Sequence, residues 1–206
     1  MVSIELHYLP SLEYFCALLP HSTVFVEKHE HFVKQSYRNR CYVNTSQGIQ
    51  MLSVPVADRH GKIPVGEVKI DNRQRWQSIH WRTLESAYRN APFFEHYEAP
   101  LHAILHQPYV YLFDLSTALL SFCLKALRWE KERVNTSRYE AEMPVGVSDL
   151  RGIITPKKTY TDRNFYRPHP YYQVFGSTFA GNLSVVDLLF CMGPQANTVL
   201  QASAAK

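Results

Sequence analysis

Two short apolar runs, Val2-Ser3-Ile4-Glu5-Leu6 and Thr23-Val24-Phe25-Val26-Glu27, flank one brief helical pattern, and this restricts the fold more than any other feature of the chain. Leu12, Phe15, Cys16 and Leu19 recur at the spacing of a helix face; Ser11 is placed to cap that helix and Pro20 to stop it. Strand, helix, strand predicts a βαβ unit with parallel strands and a right-handed crossover. Parallel strands are covered on both faces, which fits the unbroken apolar character of Val24-Phe25-Val26.

Further along, Arg40–Val43 and Ile49–Val56 flank the polar, glycine-containing link 44–48, the pattern of a β-hairpin. Val65–Ile70 reads as another strand. Asp71 or Asn72 can cap an amphipathic helix whose apolar stripe is Trp76, Ile79, Leu84, Ala87 and Tyr88. Pro92 suits a first helical turn, Pro100 and Pro108 divide the next stretch into short helical pieces, and Phe113–Leu127 reads as an apolar helix. From 131 to 171, prolines mix with Asn, Ser, Thr and Asp, which predicts a loop-rich stretch. A last short helix opens near Asn182, with Ser184 as N-cap, Asp187 three residues on, and Gly193-Pro194 ending it. The expectation is one α/β domain over residues 1–206. It has a mainly parallel or mixed central sheet with a βαβ start, a β-hairpin and helices on its faces.

Composition narrows the function classes. The chain has 206 residues and a formal net charge of +4, with no long Lys/Arg run, so nucleic acid is not an expected partner. No window approaches ~18 uninterrupted apolar residues and the N-terminal segment lacks a basic region followed by an apolar one. A membrane span is therefore not expected, and the cytoplasm is the expected compartment. Cys16, Cys41, Cys123 and Cys191 are scattered without a CxxC pair, which excludes zinc-ribbon spacing and suits buried free thiols. GxGxxG, GxxxxGK[ST] and GxSxG are absent, which removes the common dinucleotide, P-loop and nucleophile-elbow sites. Glu27, His29 and His31 alternate with period two and can share a face toward a divalent ion, but such spacing arises easily by chance. His102 and His106, four apart, lack the adjacent Glu of an HExxH site. No metal is assigned and no cofactor or oligomeric state is specified by these residues.

The chemistry concentrates after the second strand, in His29-Glu30-His31-Phe32-Val33-Lys34-Gln35-Ser36-Tyr37-Arg38-Asn39-Arg40. Ligands of open α/β sheets gather outside the carboxyl ends of strands, so cations here are placed to meet an anion. The predicted pocket collects His7, Tyr8, His31, Lys34, Gln35, Tyr37, Asn39 and Arg40, with Asn182 and Asp187 as contributions from the tail. His80, at the edge of its helix's apolar stripe, is either a hydrogen-bonded structural histidine or a site residue.

The order of motifs resembles the WbqC-like family over nearly the whole chain. The matching segments are Tyr8-Leu9-Pro10 with Tyr14-Phe15, the block His31–Arg40, Leu52-Ser53-Val54-Pro55-Val56, Trp76 with His80-Trp81, and Ala87–Phe94. The tail adds Asp149-Leu150-Arg151, Tyr171–Phe175, Asn182-Leu183-Ser184, Asp187–Phe190 and Gly193-Pro194. The chain departs from the family pattern in two places: Glu5-Leu6 stands where many relatives carry Gln-Pro, and Glu13 replaces a frequent Gly. The resemblance implies a glycine or aminoacyl transferase that modifies an amino sugar or sugar nucleotide in O-antigen or other surface-polysaccharide biosynthesis.

In that role Lys34 and Arg40 would hold a phosphate or carboxylate. His31 would take a proton from the acceptor amine, since an imidazole titrates near neutrality, and Gln35 and Asn39 would orient the substrate. The alternative is a nucleotide- or sugar-binding protein without chemistry of its own, or a nucleotidyl-transferase-like enzyme. The latter rests on architecture alone, because the HxGH signature is missing. The implied partner is a small molecule, either a sugar nucleotide or an acyl donor.

Overall fold

The computed structural model describes residues 1–57 and 62–205. Its elements are β1 (Val2–Glu5), α1 (Leu12–Leu18), β2 (Thr23–Glu27), β3 (Arg40–Thr45), β4 (Gly48–Ser53), α2 (Trp76–Tyr88), α3 (Phe94–His106), α4 (Leu112–Ala126), β5 (Glu132–Asn135), β6 (Ser148–Asp149), α5 (Val185–Met192) and α6 (Ala196–Ser203). The fold is mixed α/β, with a parallel sheet, an antiparallel hairpin and helices. No helix among the described residues is long and apolar enough to cross a membrane.

The main sheet has strand order β5-β2-β1-β6, and every pairing in it is parallel. The predicted βαβ start is present, with Val2 opposite Val24 and Ile4 opposite Val26. The chain moves from β1 outward through β2 to β5, then returns to lay β6 against the other edge of β1. That reversal makes the gap between β1 and β6 the topological switch point. The hairpin is also present, with Arg40 opposite Ser53 and Thr45 opposite Gly48. Gly48 takes φ +93° at the turn, a conformation that side chains with a Cβ resist.

The core explains why the tail is ordered. Every residue of α5 from Val185 to Cys191 is buried, as is every residue of α1. The two helices begin side by side: Leu12 N–H donates to Leu183 O at 3.0 Å, Val185 N–H donates to Pro10 O at 2.8 Å, and Ser184 Oγ donates to Leu9 O at 2.8 Å. Ser184 caps α5 as expected. Each fully buried aliphatic side chain here contributes roughly 1.5–3 kcal/mol, so apolar burial adds to these hydrogen bonds in docking α5. All four cysteines are buried free thiols.

Four local expectations are corrected. Val65–Ile70 is no strand: it forms a 3-10 turn at Val65–Glu67 followed by single bridges from Lys69 and Ile70. The 131–171 stretch contains β5 and β6, hidden from periodicity because β5 is an exposed edge strand and β6 is two residues long. Pro100 does not divide α3; the helix runs through it, and the exposed position leaves the freed carbonyl to water. Ile79 is 59% exposed, and His80 takes its place on the buried face of α2.

Candidate functional site

Charged side chains meet beyond the carboxyl ends of β1, β2 and β6. Glu5 ends β1 and is buried. Its Oε1 lies 3.3 Å from Arg38 Nη2 and 3.4 Å from His7 Nε2, while its Oε2 accepts the Gly152 N–H at 2.9 Å. Burial alone would raise the Glu5 pKa, but the His7 contact and the Arg38 charge outweigh it and hold the group at about 2. Arg38, itself 3% exposed, also donates through Nε to Glu30 Oε1 at 2.9 Å. Burial pushes Glu30 up to about 7 against the pull of Arg38, with the charges of Glu5 and Glu27 adding to the rise. One guanidinium therefore serves two carboxylates that differ sharply in acidity.

The neighbouring strands repeat the arrangement. Glu27 ends β2, and its Oε2 receives Arg151 Nη1 at 3.1 Å; its Oε1 accepts the backbone N–H groups of His29 at 2.6 Å and Glu30 at 3.2 Å. Arg151 follows β6 and also donates to Asp149 Oδ2 at 2.7 Å. On α1, Glu13 receives both Nε and Nη2 of Arg163 and the Asn182 amide. Taking charges out of water is tolerated only when each is paired and hydrogen-bonded, and this crevice meets that condition throughout.

His7 is enclosed by these groups, its ring centroid 4.7 Å from Tyr14 and 5.4 Å from Tyr37. Burial lowers its pKa, against the opposing pull of Glu5, and so favours the neutral imidazole. Its Nδ1 is buried and has no hydrogen-bond partner among the described residues.

A second arrangement lies on the hairpin. Phe32, Lys34, Gln35, Asn39 and Arg40 line a hollow of about 270 Å³ whose far wall is Ser53–Val56. Asn39 donates through Nδ2 to Val54 O at 2.8 Å and to Ser53 Oγ at 3.3 Å, which fixes its amide in place. Its Oδ1 and the Arg40 Nε are buried and, among the described residues, have no hydrogen-bond partner. Among the described residues no carboxylate belongs to the lining, and neither Lys34 nor Arg40 is in an ion pair.

The structure thus separates the residues grouped by the sequence. Lys34, Gln35, Asn39 and Arg40 share the hollow, and the exposed His31 immediately precedes Phe32, which lines it. His7 and Tyr37 meet inside the crevice instead. Tyr8 is fully buried, with its hydroxyl 2.8 Å from His80 Nδ1, and burial pushes His80 down to about 4. Asn182 braces Glu13. Asp187 accepts from Tyr88 at 2.8 Å, Tyr171 at 2.6 Å and Gln173 at 3.1 Å, a buried lock on the tail.

Sequence reasoning passed over Glu5, Glu13, Glu30, Arg151 and Arg163. The available signal was the placement of Glu5, Glu13 and Glu27 in runs that must be buried, because buried carboxylates require cations.

The WbqC-like protein family matches residues 6–149, from the loop after β1 to the last residue of β6. The chain belongs to this family. The match covers β2 to β6, the hollow and most of the crevice. The chain is also similar to Uncharacterized protein Rv1507c of Mycobacterium tuberculosis (strain ATCC 25618 / H37Rv), at 27% identity over 229 residues, covering 96% of each chain. No solved structure matches it.

Proposed function

We propose that the chain is an acyl- or aminoacyltransferase acting on an amino sugar or sugar nucleotide, and that substrate enters the hollow on the hairpin. The observation that carries this reading is that Lys34 and Arg40 line one hollow and that, among the described residues, the buried Arg40 Nε and Asn39 Oδ1 have no partner. A phosphate or carboxylate matches the two cations, and an N–H or O–H of the sugar matches the free amide oxygen. Family membership supports transfer of an acyl group in surface-polysaccharide biosynthesis. In that reaction the acceptor amine attacks the acyl carbon, the donor's leaving group departs with its electron pair, and a base takes the amine proton.

His31 is assigned as that base. Gln35 stands at φ +56°, a left-handed conformation that non-glycine residues adopt where surroundings impose it, and it orients the substrate together with Asn39. The test is product formation: the chain with acyl or aminoacyl donors and amino-sugar acceptors, read by mass spectrometry. His31→Ala should lower turnover at least 100-fold while ligand affinity stays nearly constant. Unchanged turnover in that variant would remove His31 from the reaction.

A second reading, a sugar or nucleotide binder without chemistry, is favoured by the pairing of every carboxylate in the crevice, which leaves none free to act. It requires thermal stabilisation by a sugar nucleotide with no product from any donor. At ~100 Kd of ligand that stabilisation is roughly 2.7 kcal/mol.

A further inference from the structure

A cleft where α3 meets the end of α4 shares no lining residue with the hollow or the crevice. It holds about 320 Å³ and is walled by His96, Tyr97, Pro100, Phe122, Lys125 and Arg128. That volume lies at the lower end of the range for small-molecule sites, roughly 300–1,000 Å³. The His96 and Tyr97 rings meet at 86° with centroids 4.7 Å apart, and Tyr97 meets Phe122 at 89° with centroids 6.4 Å apart, so aromatic surface forms a corner. Among the described residues no carboxylate belongs to the lining. Among the described residues neither Lys125 nor Arg128 is in an ion pair.

Arg128 is held there by an unusual backbone. It has φ +57°, and the turn closes with Arg128 N–H on Lys125 O at 3.0 Å and Trp129 N–H on Leu124 O at 2.8 Å. This is a Schellman ending, in which the left-handed position is ordinarily glycine because a Cβ is penalised there. The helix dipole favours a cation in the last turn, but Lys125 already supplies one without strain. Arg128 lies close enough to Tyr97 for its charge to oppose the effect of burial on that phenol. The strained backbone thus presents a second cation to an aromatic corner that already has one.

We propose that this cleft is a binding site for a small planar organic phosphate of the nucleoside-phosphate class. Its phosphate lies between Lys125 and Arg128, and its ring lies along the wall of His96, Tyr97 and Phe122. Two cations supply charge-assisted bonds to phosphate oxygens, and the aromatic faces supply the ring contact.

AMP titrated into the intact chain by calorimetry, with adenosine and inorganic phosphate as its separate halves, tests this. AMP should bind at least tenfold more tightly than either half. Arg128→Gly suits its left-handed position, so it should raise Tm by about 2–4 °C while weakening AMP at least tenfold. Lys125→Ala should weaken AMP similarly. Failure of AMP to bind overturns the site, and so does phosphate binding as tightly as AMP, which would mark a nonspecific cation pair. AMP affinity unchanged by Arg128→Gly but lost in Arg40→Ala would assign AMP to the hairpin hollow and also overturn it.

Discussion

The crevice at the ends of β1, β2 and β6 and the hollow on the β3–β4 hairpin each take an arginine from the same short block, yet use it oppositely. Arg38 is buried against two carboxylates, whereas Arg40, two residues later, has an Nε without a partner among the described residues and lines the hollow with Lys34. Residues two apart share a face only within a strand, and Arg38 lies in the turn before β3 while Arg40 opens that strand, so the two cations need not share a fate. Pairing identifies charges that hold the fold, and the absence of pairing identifies charges available to a ligand.

The sharpest way to break this contrast is to remove one cation from each region. Arg38→Ala strands Glu5 in the interior and should cost about 3–5 kcal/mol of unfolding free energy in urea titration. A loss as small as that of a surface substitution would show that the crevice pairs carry little of the fold.

The next effect is one of pH. Glu30, raised to about 7, binds its proton more tightly in the folded chain than in the unfolded one. It therefore takes stability away as pH climbs from the ordinary 4.5 toward 7. Glu5, held at about 2, acts in a lower window: its contribution is full above 4.5 and is lost as pH falls toward 2. His7 and His80, both pushed down by burial, add stability as pH rises toward 6.5 and mask Glu30 in the wild-type curve. Glu30→Gln should therefore gain on wild type by about 1–3 kcal/mol between pH 4.5 and 7. A flat difference curve would mean that Glu30 titrates as an ordinary carboxylate.

The smallest stability effect belongs to the hollow. Lys34→Ala should change unfolding free energy by no more than about 0.5 kcal/mol, while removing most of the thermal shift given by an anionic sugar nucleotide. Retention of the full shift would place the ligand elsewhere.

The two regions also differed in how far the sequence revealed them. Val2–Leu6, Leu12–Leu19 and Thr23–Glu27 announced the βαβ start because burial on both sides of a parallel sheet imposes unbroken apolar runs. The hairpin announced itself through its polar, glycine-bearing turn, and Lys34, Gln35, Asn39 and Arg40 lie close enough in sequence to be read as a group. The crevice had no such mark. Glu13 and Arg163 are separated by 150 positions and Glu27 and Arg151 by 124, so only the folded topology brings them together. β5 was hidden by full exposure of an edge strand, and the bond of Tyr8 with His80, 72 residues away, leaves no local mark in the sequence.

The position of β6 has a consequence for the birth of the molecule. β1 is flanked on one side by residues 148–149, so a growing chain cannot complete this sheet until it has been extended to residue 149. At a translation rate of roughly 5–20 residues per second, β1 waits on the order of ten seconds with one edge open. For that interval a buried Glu5 has no Gly152 amide to meet it. A nascent chain stalled before residue 148 should accordingly be a client of chaperones rather than a folded intermediate.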